Sequence, residues 1–96
     1  MTPQEAVNRL RPALAPQGGG TFCFASSKVF LRLKLLDNPA RLRYTAKDQV
    51  IFRVEECNLI IADAKTGVIR NQLGWREIES MVAGEPESDN AVPFQG

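Results

Sequence analysis

From Thr21 to Gln72 apolar and polar residues alternate with a period of two, interrupted at short intervals by turn-forming residues. This pattern predicts strands at Thr21–Ala25, Lys28–Leu36, Ala40–Thr45, Gln49–Glu55, Leu59–Ala62 and Val68–Gln72. The separators, such as Ser26-Ser27, Asp37-Asn38-Pro39 and Ala46-Lys47-Asp48, are too short for the crossover of about a dozen residues that parallel neighbours need. An antiparallel β-meander of five to six strands is therefore expected, with Gly67 supplying the positive φ that closes the last hairpin.

Helical signals flank the meander. Thr2-Pro3-Gln4-Glu5 has a capping Thr, a Pro suited to the first helical position and a Glu that completes a capping box. Val7 and Leu10 follow at helical spacing, and Pro12 should end the helix near Arg11. Gly18-Gly19-Gly20 follows a Pro-broken helix and precedes a strand, the reverse of a phosphate loop's order, and reads as a connector. Trp75 to Val82, with Trp75, Ile78 and Met81 or Val82 on one side, predicts a short amphipathic helix stopped at Gly84, with Trp75 plugging the core.

The expected fold is thus α+β: the meander with an N-terminal helix and a short C-terminal helix packed on one face. Residues 1–84 form a single domain, and 85–96, with Glu85, Glu87 and Asp89, reads as a flexible acidic tail. A meander followed by a terminal helix bearing Trp75 resembles pleckstrin-homology-like domains in architecture. That resemblance implies phosphoinositide binding, but no basic loop motif accompanies it.

Charge sharpens the picture. Residues 1–54 carry nine Lys/Arg against three Asp/Glu, a net +6, whereas residues 55–96 carry three against eight, a net −5. In Arg32-Leu33-Lys34, Arg41-Leu42-Arg43 and Phe52-Arg53-Val54 the cations take every second strand position, which gathers them on one sheet face while Leu31, Leu33, Leu42, Val50, Phe52 and Val54 turn to the core. The candidate binding site is this basic face: Phe30, Arg32, Lys34, Arg41, Arg43 and Arg53. Arginine outnumbers lysine there, which favours recognition of carboxylate or phosphate, although long cations also serve to solubilise an outer face.

Catalysis finds little footing. The chain has no His, and its two cysteines lack an activating base: Cys23 lies between Phe22 and Phe24, and Cys57 follows Glu55-Glu56. Both thiols are expected to be reduced packing residues, with no metal site and no cofactor. The carboxylate pairs Glu55/Glu56 and Glu77/Glu79 do not converge locally. Ninety-six residues bury roughly 65% of their unfolded surface, enough for one core. No apolar run is long enough to span a bilayer, and the first residues lack a secretory leader, so a cytoplasmic location is expected.

The expected function is a non-enzymatic interaction module (regulator, inhibitor or adaptor) that binds an acidic protein partner through the basic face. The alternative is RNA or single-stranded DNA binding. Base-stacking sheets usually present two or three aromatics, and only Phe30 is placed for that role.

Overall fold

The computed structural model describes residues 1–26, 29–37 and 41–84. The expected acidic tail, and the expected strand starts at Lys28 and Ala40, lie outside the described residues.

One helix, α1 (Pro3–Leu10), opens the fold. The capping box forms: Thr2 Oγ1 accepts from the Glu5 amide at 3.2 Å and Glu5 Oε1 accepts from the Thr2 amide at 3.2 Å. Ala6 and Leu10 are buried on its inner side. Arg9 Nη1 ties the helix to the last strand by donating to Met81 O at 2.9 Å.

Eight strands follow among the described residues: β1 (Leu14–Gly18), β2 (Thr21–Phe24), β3 (Phe30–Leu35), β4 (Arg41–Thr45), β5 (Val50–Val54), β6 (Asn58–Asp63), β7 (Ile69–Gly74) and β8 (Ile78–Gly84). They form two antiparallel sheets, one of five strands in the order β1-β2-β5-β6-β7 and one of three in the order β4-β3-β8. The antiparallel α+β class holds, but the single meander does not. After β2 the chain leaves the larger sheet, makes the β3–β4 hairpin in the smaller one, and returns to lay β5 beside β2.

Two further expectations are corrected. The supposed connector after α1 contains β1, which pairs with β2 despite Pro16 because it is an edge strand. The β1–β2 turn takes positive φ at Gly18, Gly19 and Gly20 (97°, 58° and 80°). At Gly20 a Cβ would also come within 3.0 Å of Val54 O, so the close approach of β2 and β5 there requires glycine. The C-terminal helix is instead a single 3-10 turn, Trp75–Glu77, running into β8. Lys34 pairs with Ser80 and Leu35 with Ile78, so Glu79 is the extra residue of a β-bulge. That bulge turns Ile78 and Met81, three residues apart, to the same inner face, which reproduces helical spacing within a strand. With a 3-10 turn and a strand where a helix bearing Trp75 was expected, the architectural resemblance to pleckstrin-homology-like domains loses its basis.

The core lies between the sheets and against α1. Phe22, Phe52, Leu59 and Ile61 from the larger sheet meet Leu31, Leu33, Ile78 and Met81 from the smaller one and Leu10 from the helix. Phe52 joins the layers, making edge contacts with Phe24 in its own sheet (5.5 Å between centroids) and with Tyr44 of β4 (5.7 Å). Trp75 is a core plug, as expected, 6% exposed and with its indole N–H donating to Glu55 O at 2.9 Å. Among the described residues no helix is long and apolar enough to cross a membrane.

Candidate functional site: a cationic sheet face

The β3–β4 hairpin brings five of the six expected site residues together. Phe30, Arg32 and Lys34 alternate with the core residues Leu31 and Leu33 on β3 and so share the outer face. Arg43 lies directly opposite Arg32, and Arg41 opposite Lys34. The Thr45 amide is turned away from β3 and donates to Asp48 Oδ2 at 2.7 Å. By the two-residue period, the backbone groups of Arg43 and Arg41 also point away from β3. Both cross-strand cation pairs therefore occupy non-hydrogen-bonded positions, where opposed side chains lie closest.

The members of this face differ in access. Arg41 and Arg43 are exposed. Lys34 is half-buried and forms an ion pair with Glu79, which the bulge in β8 directs toward it. Arg32 is only 5% exposed, and Phe30 is fully buried yet lies outside the main core cluster. Phe30 is thus not positioned as an open stacking platform. Arg32, Arg41 and Arg43 each already take part in an interaction within the chain, so an incoming anion would compete with these contacts.

Arg53 stands apart. It projects from β5 on the outer face of the five-stranded sheet, opposite Thr21 and Ile60, and sits 3.6 Å from Glu55. Alternation places a side chain on one or other face of its strand without saying which sheet the strand joins, and β5 joins β2 and β6.

Other features escaped the sequence reading. The β6–β7 turn is an Asx turn: Asp63 Oδ1 accepts from the Lys65 and Thr66 amides at 2.9 Å each, while Asp63 Oδ2 lies 2.5 Å from Arg70 Nη2. The Thr66 amide, then the Arg70 guanidinium and the Lys65 amide, hold the Asp63 carboxyl well below the usual carboxylate range. Asp63-Ala64-Lys65-Thr66-Gly67 carried that signal in its Asp and Gly. A cleft of about 300 Å³ beside β2 and β5 is lined by Cys23, Val50, Lys65 and Gln49, whose φ of 52° is the one positive value at a non-glycine among the described residues. Cys23 is half-buried, whereas Cys57 is exposed in the β5–β6 turn rather than packed as expected; both are free thiols.

Neither protein-family models, curated proteins nor solved structures gave a match to the chain.

Proposed function

We propose that the chain is a non-enzymatic interaction module that binds an acidic segment of a partner protein at the outer face of the three-stranded sheet, and that it works in the cytoplasm. The observation that carries this reading is the placement of Arg32 opposite Arg43 and of Lys34 opposite Arg41. Directly opposed like charges cost a sheet stability unless anions lie among them. Glu79 supplies one such anion at Lys34. The exposed guanidiniums of Arg41 and Arg43 are suited to bidentate contacts with further carboxylates. The buried position of Phe30 favours protein over single-stranded nucleic acid, whose binding leans on exposed aromatic rings.

The test is a fluorescence titration of the full chain with an oligoglutamate peptide and, separately, a single-stranded oligonucleotide. Arg41→Glu with Arg43→Glu should weaken peptide binding by roughly tenfold or more, because both charges reverse at the contact. Arg53→Glu, on the other sheet, should leave it unchanged. Unaltered peptide affinity in a folded double variant would remove the site, and tighter binding of the oligonucleotide would shift the reading to nucleic acid.

A further inference from the structure

The cleft of about 300 Å³ beside the end of β2 and the start of β5 matches the lower limit of small-molecule sites in volume. Its apolar lining comes from Cys23 and Phe24 of β2, Val50 of β5 and the methyl groups of Ala46 and Ala64. Val50 is only 2% exposed, and the Phe24 ring stands edge-on to Phe52 at 5.5 Å between centroids, so this lining is continuous with the packed core. Gln49, Ala64 and Lys65, which also line the cleft, are exposed, so its mouth is open to solvent.

The rim is made by two turns that are distant in sequence and locked to each other. The 3-10 turn Ala46–Asp48 is closed by Asp48 Oδ2, which accepts from the Thr45 amide at 2.7 Å, and by the Gln49 amide, which donates to Ala46 O at 3.2 Å. In the β6–β7 turn, Asp63 Oδ1 fixes the backbone of Lys65. Arg70 joins the two turns, donating to Asp48 O at 3.0 Å and to Asp63 Oδ2 at 2.5 Å, and the Ala64 amide donates to Gln49 O at 2.8 Å. A cleft whose walls are braced before anything enters loses little freedom on binding. Arg70 is already engaged by Asp63, which leaves Lys65 as the one charged side chain among the described residues lining the cleft.

We propose that this cleft is a binding site for a small amphiphilic acid, a monocarboxylate with a compact or short-chain apolar body. The site is separate from the cationic face and does not depend on the reading given for it. The apolar body displaces water from Phe24, Val50, Cys23 and Ala46, while the carboxylate meets the Lys65 ammonium and accepts an N–H of the Gln49 carboxamide. A single ammonium, a compact point charge, matches a single negative charge. An acid with no apolar body gains nothing from the lining, and an alcohol of the same length gains nothing from Lys65.

The experiment uses the full chain with hexanoate, hexan-1-ol and acetate as probes, and reads the rate at which iodoacetamide modifies each cysteine by peptide mass spectrometry. Cys23 lines the cleft, and exposed Cys57 in the β5–β6 turn is the internal reference. Hexanoate should slow modification of Cys23 several-fold and leave Cys57 unchanged, with half its effect at a concentration roughly tenfold below that of hexan-1-ol, because only the acid engages a charged group. Acetate at the same concentration should do nothing. Lys65→Met, at an exposed position, should raise the half-effect concentration of hexanoate to that of the alcohol. Ala64→Trp, also at an exposed position, should fill the mouth and remove protection by hexanoate and hexan-1-ol alike. No slowing at Cys23, equal slowing at Cys57, or acetate as effective as hexanoate would overturn the proposal. So would hexanoate protection that survives Lys65→Met or Ala64→Trp unchanged.

Discussion

The outer faces of the two sheets are built on the same alternation and carry opposite chemistry. On the three-stranded sheet the outward positions of β3 and β4 hold Arg32, Lys34, Arg41 and Arg43. On the five-stranded sheet one row crosses the strands as Ala15, Cys23, Ile51, Ala62 and Ile69, with Ile60 beside it. Its strand β6, between β5 and β7, is apolar on both sides, and Leu59, Ile60, Ile61 and Ala62 are all buried. The larger sheet thus stands with few charges on its outer side, so solubility alone does not demand a dense cationic cluster on the smaller one. The concentration of charge on the smaller sheet is the basis on which an anionic partner is proposed there.

The largest effect should come from the residue the two sheets share. Phe52→Ala removes the ring that contacts both Phe24 and Tyr44 and is expected to cost about 3–5 kcal/mol in denaturant unfolding. Both sheets should melt in one transition, because they share a core; separate transitions would break the single-domain reading. The contrast between outer faces is tested by placing the same charge on each. Ile60→Glu puts a carboxylate at a position only 6% exposed and should cost about 3 kcal/mol, whereas Arg41→Glu, at an exposed position, should stay within about 0.5 kcal/mol. Equal costs would mean that the two faces do not differ in the way described.

How much of this was legible in the sequence depended on how local the signal was. The alternation around Leu31 and Leu33 named the outward residues of β3 correctly, and the capping box of Thr2 and Glu5 marked the helix start, because both depend on neighbours a few residues away. Arg53 was assigned to the wrong face of the molecule because sheet membership is fixed by long-range pairing with β2 and β6. The bulge at Glu79 made Ile78 and Met81 look helical, since one inserted residue converts spacing of two into three. Strand β1 was hidden by Pro16 and the glycines that follow it, residues that edge strands and tight turns tolerate. The burial of Phe30 and Arg32 also lay beyond reach, because periodicity reports which side a residue faces and not what lies over it.

A smaller effect, and one confined to the larger sheet, is expected from acid. The Asp63 carboxyl is ionised in the fold to lower pH than in the unfolded chain, so its contribution is present above the unfolded value of about 4 and is lost as pH falls from there toward the folded value. Asp63→Asn should therefore be less stable than the parent at neutral pH, with the gap narrowing as the pH drops below about 4. A gap that stays constant from pH 7 to strongly acid solution would mean that ionised Asp63 does not hold the β6–β7 turn. Because Asp63 and Arg70 sit on the five-stranded sheet, acidic peptide binding at neutral pH should be the same in both proteins.

The smallest effect concerns the segment beyond Gly84, where Glu85, Glu87 and Asp89 occur at every second position. Gly84 pairs with Phe30, so the chain leaves β8 at one end of the cationic face. The five residues of β3 from Phe30 to Lys34 span only about 13 Å, well within reach of such a segment. Attachment at that point gives its acids an effective concentration in the millimolar range, enough to compete with a weakly bound acidic peptide and little more. Truncation after Gly84 should accordingly tighten binding of the oligoglutamate peptide a few-fold at low salt. The gain should fade toward physiological ionic strength, where exposed charges are screened beyond about 8 Å. A gain that persists at high salt would point to steric obstruction in place of charge competition. Equal affinities at low salt would show that the acidic residues do not act on the cationic face, and the contrast between the two sheets would then owe nothing to the end of the chain.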